Sequence, residues 1–506
     1  MNQKNELKET LQQFREKLGE IHDVSSAASV LQWDMETYMP PKGAQARGEQ
    51  LSTLASIAHR LFTDEGFGHL LTQLNEQKDA LEPDERKLIE ETHYDHRRAT
   101  CLPDEFVREM TLLESQSYEA WVKARNESNF TLFQPYLERL VEMLRRKADY
   151  LGYEGTPYNA LLEDFERGMT TDRLQSIFSR LAQDQSQLVE RIQQAGRPEN
   201  GGWAEGTWPT PAQLQLSEEV LREMGYDLQA GRQDLSVHPF STHFDMQDVR
   251  VTTRVDESDL FSALLSSMHE GGHALYEQGL PLADRRTTLG ESISLGIHES
   301  QSRLWENAVG RSLAFWQWMT PRMQAAFPGR LDAVTPEQIY RRVNRVEPSL
   351  IRVEADECTY NLHIIVRFEI ERALIEGELA VKDVPDAWNE KIKQYLGLDV
   401  PNDAQGCLQD IHWSHGAMGY FPTYALGNLY AAQLLERIES DLPDLWQQVQ
   451  SGKFDALLDW LREKIHRVGR RMTAVELIES VTGKPPGSEA YLRYLWKKYG
   501  AIYDIN

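Results

Sequence analysis

Apolar residues in this chain recur at three- and four-residue steps almost from end to end, and that spacing confines it to a mainly α architecture. Leu7, Leu11, Phe14 and Leu18 follow it, as do Leu51, Leu54, Ile57, Ala58 and Leu61. Phe106, Met110 and Leu113, then Tyr136, Leu140 and Leu144, carry it on through amphipathic segments between Pro103 and Ile192. The double proline at Pro40 and Pro41 ends or turns a helix, and the Trp and Met residues before it read as packing. From Ala195 to Gln213 the spacing is lost among Gly, Pro and Asn, as in a surface loop. A short helix follows, from Pro211 to Met224. After Glu291 the pattern predicts helices at Ser294 to Ser312, Pro336 to Val343, Asp356 to Gly377 and Pro385 to Leu396. Two more are predicted near Thr423 to Ser440 and Phe454 to Val468.

One stretch alternates instead. Val249, Val251, Thr253 and Val255 are interleaved with Arg250, Thr252 and Arg254, which is strand chemistry. Ser241 to Phe244 can pair with it across Asp245 to Asp248, giving a small antiparallel sheet. The segment Glu257 to Gln278 then reads as a helix, and it carries His269-Glu270-Gly271-Gly272-His273. Histidines four apart on a helix share a face, with Cβ atoms about 5–6 Å apart, close enough for both rings to reach one zinc ion. Glu270 lies about 100° further round, where a general base toward water at the metal would sit. A zinc site of this kind needs a third protein ligand. Glu277, Glu291, His298 and Glu299 are the candidates downstream.

The rest of the composition narrows the field. A net charge of −25 over 506 residues argues against a nucleic-acid partner. Three scattered cysteines, Cys101, Cys358 and Cys407, form no disulfide framework and suit a reducing cytoplasm. The first residues are polar, and no run of about 18 apolar residues suggests a membrane span. No fixed repeat and no flexible linker divides the chain. We expect one compact unit over 1–506.

Several motifs occur in a particular order: Trp33-Asp34 with Thr37 and Met39-Pro40, His238-Pro239-Phe240, Asp248 with Arg250 and Thr252, and the His269 to His273 motif. His298-Glu299-Ser300-Gln301, Ile351-Arg352 with Ala355-Asp356, and Gly406 with Gln409-Asp410 and His412-Trp413 follow. In these the chain resembles the thermostable-type (Taq carboxypeptidase-like) zinc metallocarboxypeptidases of bacteria and archaea. The resemblance implies a helical single-cleft fold like that of angiotensin-converting enzyme and neurolysin, with one catalytic domain over 1–506 whose helical part up to about residue 195 forms one wall of the groove. It also implies a homodimer and removal of C-terminal amino acids with broad specificity from peptides with a free C-terminus. It makes His269, His273 and Glu299 the metal ligands and Glu270 the catalytic acid/base, with Zn2+ as cofactor and Co2+ able to replace it on the same donors.

An oxyanion donor besides the metal is expected from the Gly-rich stretch His412 to Tyr424, with Tyr420 first and Tyr424 and His412 behind it. A planar arginine suits a terminal carboxylate, and Arg352 is the first choice, Arg250 the second. Asp356 and Asp410 are expected to accept from the ligand histidines, His298 to be a structural group beside the metal, and His238 to line the groove. The alternatives are an endo-acting oligopeptidase on the same scaffold and a non-catalytic helical zinc protein.

Overall fold

The computed structural model describes residues 2–196 and 202–505. The sequence-predicted loop from Ala195 to Gln213 falls partly on residues 197–201, outside the described residues. Its remainder holds a 3-10 turn, Gly202–Ala204, before the helix Thr210–Met224.

The chain opens with a 36-residue helix, Asn2–Thr37, which stops short of Pro40 and Pro41. Leu7, Leu11, Phe14 and Leu18 bury one stripe of it against Phe67, Leu71, Leu74, Leu88 and Ile89 in a small core of their own. The helix Ala44–Phe62 packs along the first and has no buried residue. The larger core runs from Phe106 to Tyr503 and holds the helices that carry the site. Helices Leu313–Ala326, Ala474–Thr482 and Glu489–Tyr503, absent from the periodicity reading, complete it.

The sheet is mixed, not antiparallel. Strands β1 (Gly231–Leu235), β2 (Ser241–Asp245) and β3 (Asp248–Thr253) lie in the order β1-β3-β2. The expected β2–β3 hairpin is present, and β1 runs parallel to β3 on its other side. Strand β1 escapes notice in the sequence because Gly231-Arg-Gln-Asp-Leu235 has no β-branched residue and buries only Asp234. Val249 and Val251 of β3 are fully buried beneath the next helix.

That helix, Ser262–Gly279, begins five residues later than the apolar spacing suggests. Asp256 accepts from the Ser258 N–H and Asp259 from the Phe261 N–H, so local turns use the donors that a helix start would need. The predicted helix Ser294 to Ser312 is also altered. It is α-helical over Leu295–Arg303 and then widens into a π turn over Leu304–Val309.

Candidate metal centre and cleft

Two helices build the centre, and glycines set their separation. A Cβ on Gly272 would lie 2.6 Å from the Cα of Ser302 and 2.7 Å from the Gln301 carbonyl oxygen. On its other side the Glu299 helix packs against Pro422–Asp441, where a Cβ on Gly427 would lie 2.4 Å from Glu299 Cγ. The helix that carries Glu299 is thus held between two backbones that only glycine allows so close.

This packing brings Glu299 Oε2 to 3.4 Å from His273 Nε2 and 3.8 Å from His269 Nε2. Ligands about 2.0–2.1 Å from a tetrahedral zinc stand roughly 3.4 Å apart, so the three donors fit one ion with little movement. Among the described residues they are the one group of three so arranged. Glu277, one of the other candidates, bonds His298, and Glu291 pairs with Arg470.

Charges around the donors suit a cation. Burial opposes ionisation of Glu299, but Arg303, His269 and His273 hold its carboxyl far below the usual range. Arg303 Nε donates to Glu299 Oε1 at 2.6 Å. Burial lowers His273 to about 4, leaving its ring neutral as a ligand must be. The His269 Nδ1 is 2.9 Å from Glu306 Oε2, and Glu306 is also paired with Arg311. Glu306 comes from the π turn, a feature that often marks functional sites. Glu270 is 7% exposed, and burial pushes its carboxyl up to about 7.

The centre opens into a cleft of about 920 Å³ that reaches His238, Glu270, Arg303, Arg352, Tyr360 and Tyr424. The residues that line it lie between 238 and 499. The N-terminal part backs the site: Phe165 packs on the Tyr420 ring at 5.3 Å, and Glu166 accepts from the Gly296 N–H at 2.9 Å.

The other sequence-predicted residues divide. The rings of Tyr420 and Tyr424 meet edge to face at 5.3 Å, and Tyr424 Oη is 3.5 Å from His412 Nε2. Their loop is held by the buried Glu371, which accepts from the Gly419 N–H, Trp413 Nε1 and Tyr158 Oη. Arg352 lines the cleft and donates to Asp410 and Tyr360 Oη. Arg250 is elsewhere: it pairs with Asp248 and lies over the Trp33 ring at 4.3 Å.

Two expectations need correction. Asp356 does not meet the ligand histidines, because it caps a chain turn, accepting from the N–H groups of Glu347, Cys358 and Thr359. Asp410 does not meet them either, because Arg352 and Arg367 take both its oxygens. The partners of the histidines are Glu306 and His298. Arg303 and Glu306 were missed, although they stand four and seven residues beyond Glu299, at helical spacing that shares its face.

A helical chain with paired histidines on one helix, a glutamate on the next and a buried glutamate beside them has the residue pattern of an H-E-x-x-H metallopeptidase. The chain belongs to a family described as Carboxypeptidase Taq (M32) metallopeptidase, which matches residues 13–499. It is 40% identical to thermostable carboxypeptidase 1 of Thermus thermophilus over 95% of this chain and 96% of that one. Carboxypeptidase 1 of Bacillus subtilis is 38% identical, covering 97% and 98% of the two chains. Among solved structures, the M32 carboxypeptidase of Deinococcus radiodurans superposes with a TM-score of 0.96 at 42% identity, covering 98% and 99% of the chains. The Pyrococcus furiosus carboxypeptidase gives 0.93 at 37% identity, covering 97% and 99%. The protein is a metallocarboxypeptidase that removes C-terminal residues from peptides, with a metal ion held by His269, His273 and Glu299. No described helix is long and apolar enough to cross a membrane.

Proposed function

We propose that the metal is zinc, with cobalt able to occupy the same donors, and that Glu270 is the acid/base of the reaction. Two imidazoles and one carboxylate are the usual donor set of catalytic zinc. When bound, the metal polarises the scissile carbonyl and makes water a better nucleophile near neutral pH. Glu270 takes the proton from the attacking water and passes it to the leaving amine. A carboxyl balanced near neutrality suits both halves of that task. Its place in the cleft, one residue from His269, is the observation that carries this assignment.

Tyr420 donates to the developing oxyanion, supported by Tyr424 and His412. Glu299 lies close enough to add to the effect of burial in raising the Tyr420 phenol, so that it stays protonated and able to donate. Arg352 binds the terminal carboxylate. Of its five N–H groups, three are used by Asp410 and Tyr360, which leaves two for a peptide. His238 also lines the cleft. Residues 1–506 act as one catalytic unit of broad specificity, working as a homodimer in a reducing cytoplasm. The exposed helix Ala44–Phe62, with Leu51, Leu54, Ile57 and Leu61 only half-buried, supports the dimer, and three free thiols fit the compartment.

The test is Glu270→Gln, which keeps metal and fold and lowers turnover by about three orders of magnitude or more. Undiminished peptidase activity would sink the assignment. C-terminally amidated peptides should be poor substrates, and cleavage as fast as that of free acids would turn the reading to an endo-acting oligopeptidase. Light scattering decides the dimer.

A further inference from the structure

The two ligand histidines are held differently. His269 meets a carboxylate directly, with Nδ1 2.9 Å from Glu306 Oε2. His273 meets another imidazole, its Nδ1 2.5 Å from His298 Nδ1. His298 Nε2 in turn lies 2.8 Å from Glu277 Oε1. Glu277 is 2% exposed, and its second oxygen faces the half-exposed His243 at 3.4 Å.

Only one placement of protons satisfies this row. His273 Nε2 faces Glu299 Oε2 at 3.4 Å and is the atom that would hold the ion, so its proton is on Nδ1. His298 Nδ1 must then accept, its own proton must lie on Nε2, and Glu277 must accept that one. A proton on His298 Nδ1 would set two N–H groups against each other. The carboxylate therefore fixes the ring beyond it as well as the ring it touches. Tyr276 packs on His298 at 5.2 Å and keeps its plane from turning.

We propose that Glu277 and His298 form a positioning pair that locks His273 in its metal-binding tautomer, doing through one interposed imidazole what Glu306 does directly for His269. Neither residue is among those lining the cleft, so the pair acts through His273. The inference rests on His273 being a ligand. It also explains why Glu277, on the same helix face as His269 and His273, is not itself a ligand: its oxygens are held by His298 and His243.

The experiment measures zinc affinity by competition with a chromophoric chelator, and the absorption bands of the cobalt-loaded protein, both without peptide. His298→Ala should weaken zinc binding roughly 10–100-fold, the usual loss when such a partner is removed, and shift the cobalt bands. His298→Asn should recover affinity to within several-fold, because its amide oxygen can accept from His273 Nδ1. Glu277→Gln should fall between the two. Unchanged affinity in His298→Ala, or Asn as poor as Ala while the metal-free proteins melt alike, overturns the proposal. If His298→Ala does not fold, Glu277→Gln decides, and wild-type affinity in it is also fatal. Loss of zinc binding in the wild type would instead refute the ligand assignment, so the two failures are separable.

Discussion

Gly272 and Ser302 meet backbone to backbone, with no room for a side chain between them. Gly271, its neighbour, faces only the ends of Leu221 and Met224. The two glycines of the motif therefore have different tolerances. Gly272→Ala should push the Glu299 helix away, lowering metal content and the melting temperature together. Gly271→Ala should be near neutral, since flexible side-chain ends can move and alanine returns about 1 kcal/mol of helix propensity. Metal analysis and thermal melts of the two variants check this, and equal behaviour would contradict it.

Glu306 should matter to the metal more than to the fold. Glu306→Gln keeps an acceptor for His269 but loses the charge that also holds Arg303 and Arg311. Zinc affinity is expected to drop about 10–100-fold, with activity restored by excess metal. A variant that resists chelators as well as the wild type does would show that Glu306 serves only the arginines.

Glu371 makes a prediction about pH. Burial raises its carboxyl from 4.5 to about 7, although three donors favour the charged form. The folded state thus binds more protons than the unfolded one between those values, and stability falls as pH rises through that window. Glu371→Gln removes this contribution. The stability advantage of the wild type over the variant should shrink by up to ~3 kcal/mol between pH 4.5 and 7. Denaturant midpoints at several pH values measure it, and a constant gap would count against it.

Arg352→Lys tests the carboxylate anchor. Lysine cannot hold Asp410 and a terminal carboxylate in one plane. KM for free-acid peptides should rise about tenfold or more, with a smaller change in kcat, while the slow cleavage of amidated peptides stays the same. An equal loss on both substrates would assign Arg352 to structure alone.

The helices were legible because burial imposes a period that side chains cannot hide, and Pro336–Val343 falls where the spacing puts it. Strand β1 was not, since its place is fixed by backbone pairing to β3, which leaves no mark on polar side chains. The three metal donors stood in recognisable motifs. Their partners were harder to see. Asp356 and Asp410 lie near cleft residues in sequence, but nothing in that nearness says that one caps a turn and the other joins two arginines. Arg250 was placed by its strand face, and the missing information was Trp33, more than two hundred residues away.

The π turn at Leu304–Val309 separates what is good for the backbone from what is good for the metal. Its hydrogen-bond ring is one residue wider than the α-helix would choose. Removing one residue there would let the turn relax into ordinary helix, with its flanks still seated in the core. The cost would fall on Glu306, which would rotate off His269. The enzyme retains a poorer coil at that point, and a search for stabilising deletions would find this one and lose the catalyst.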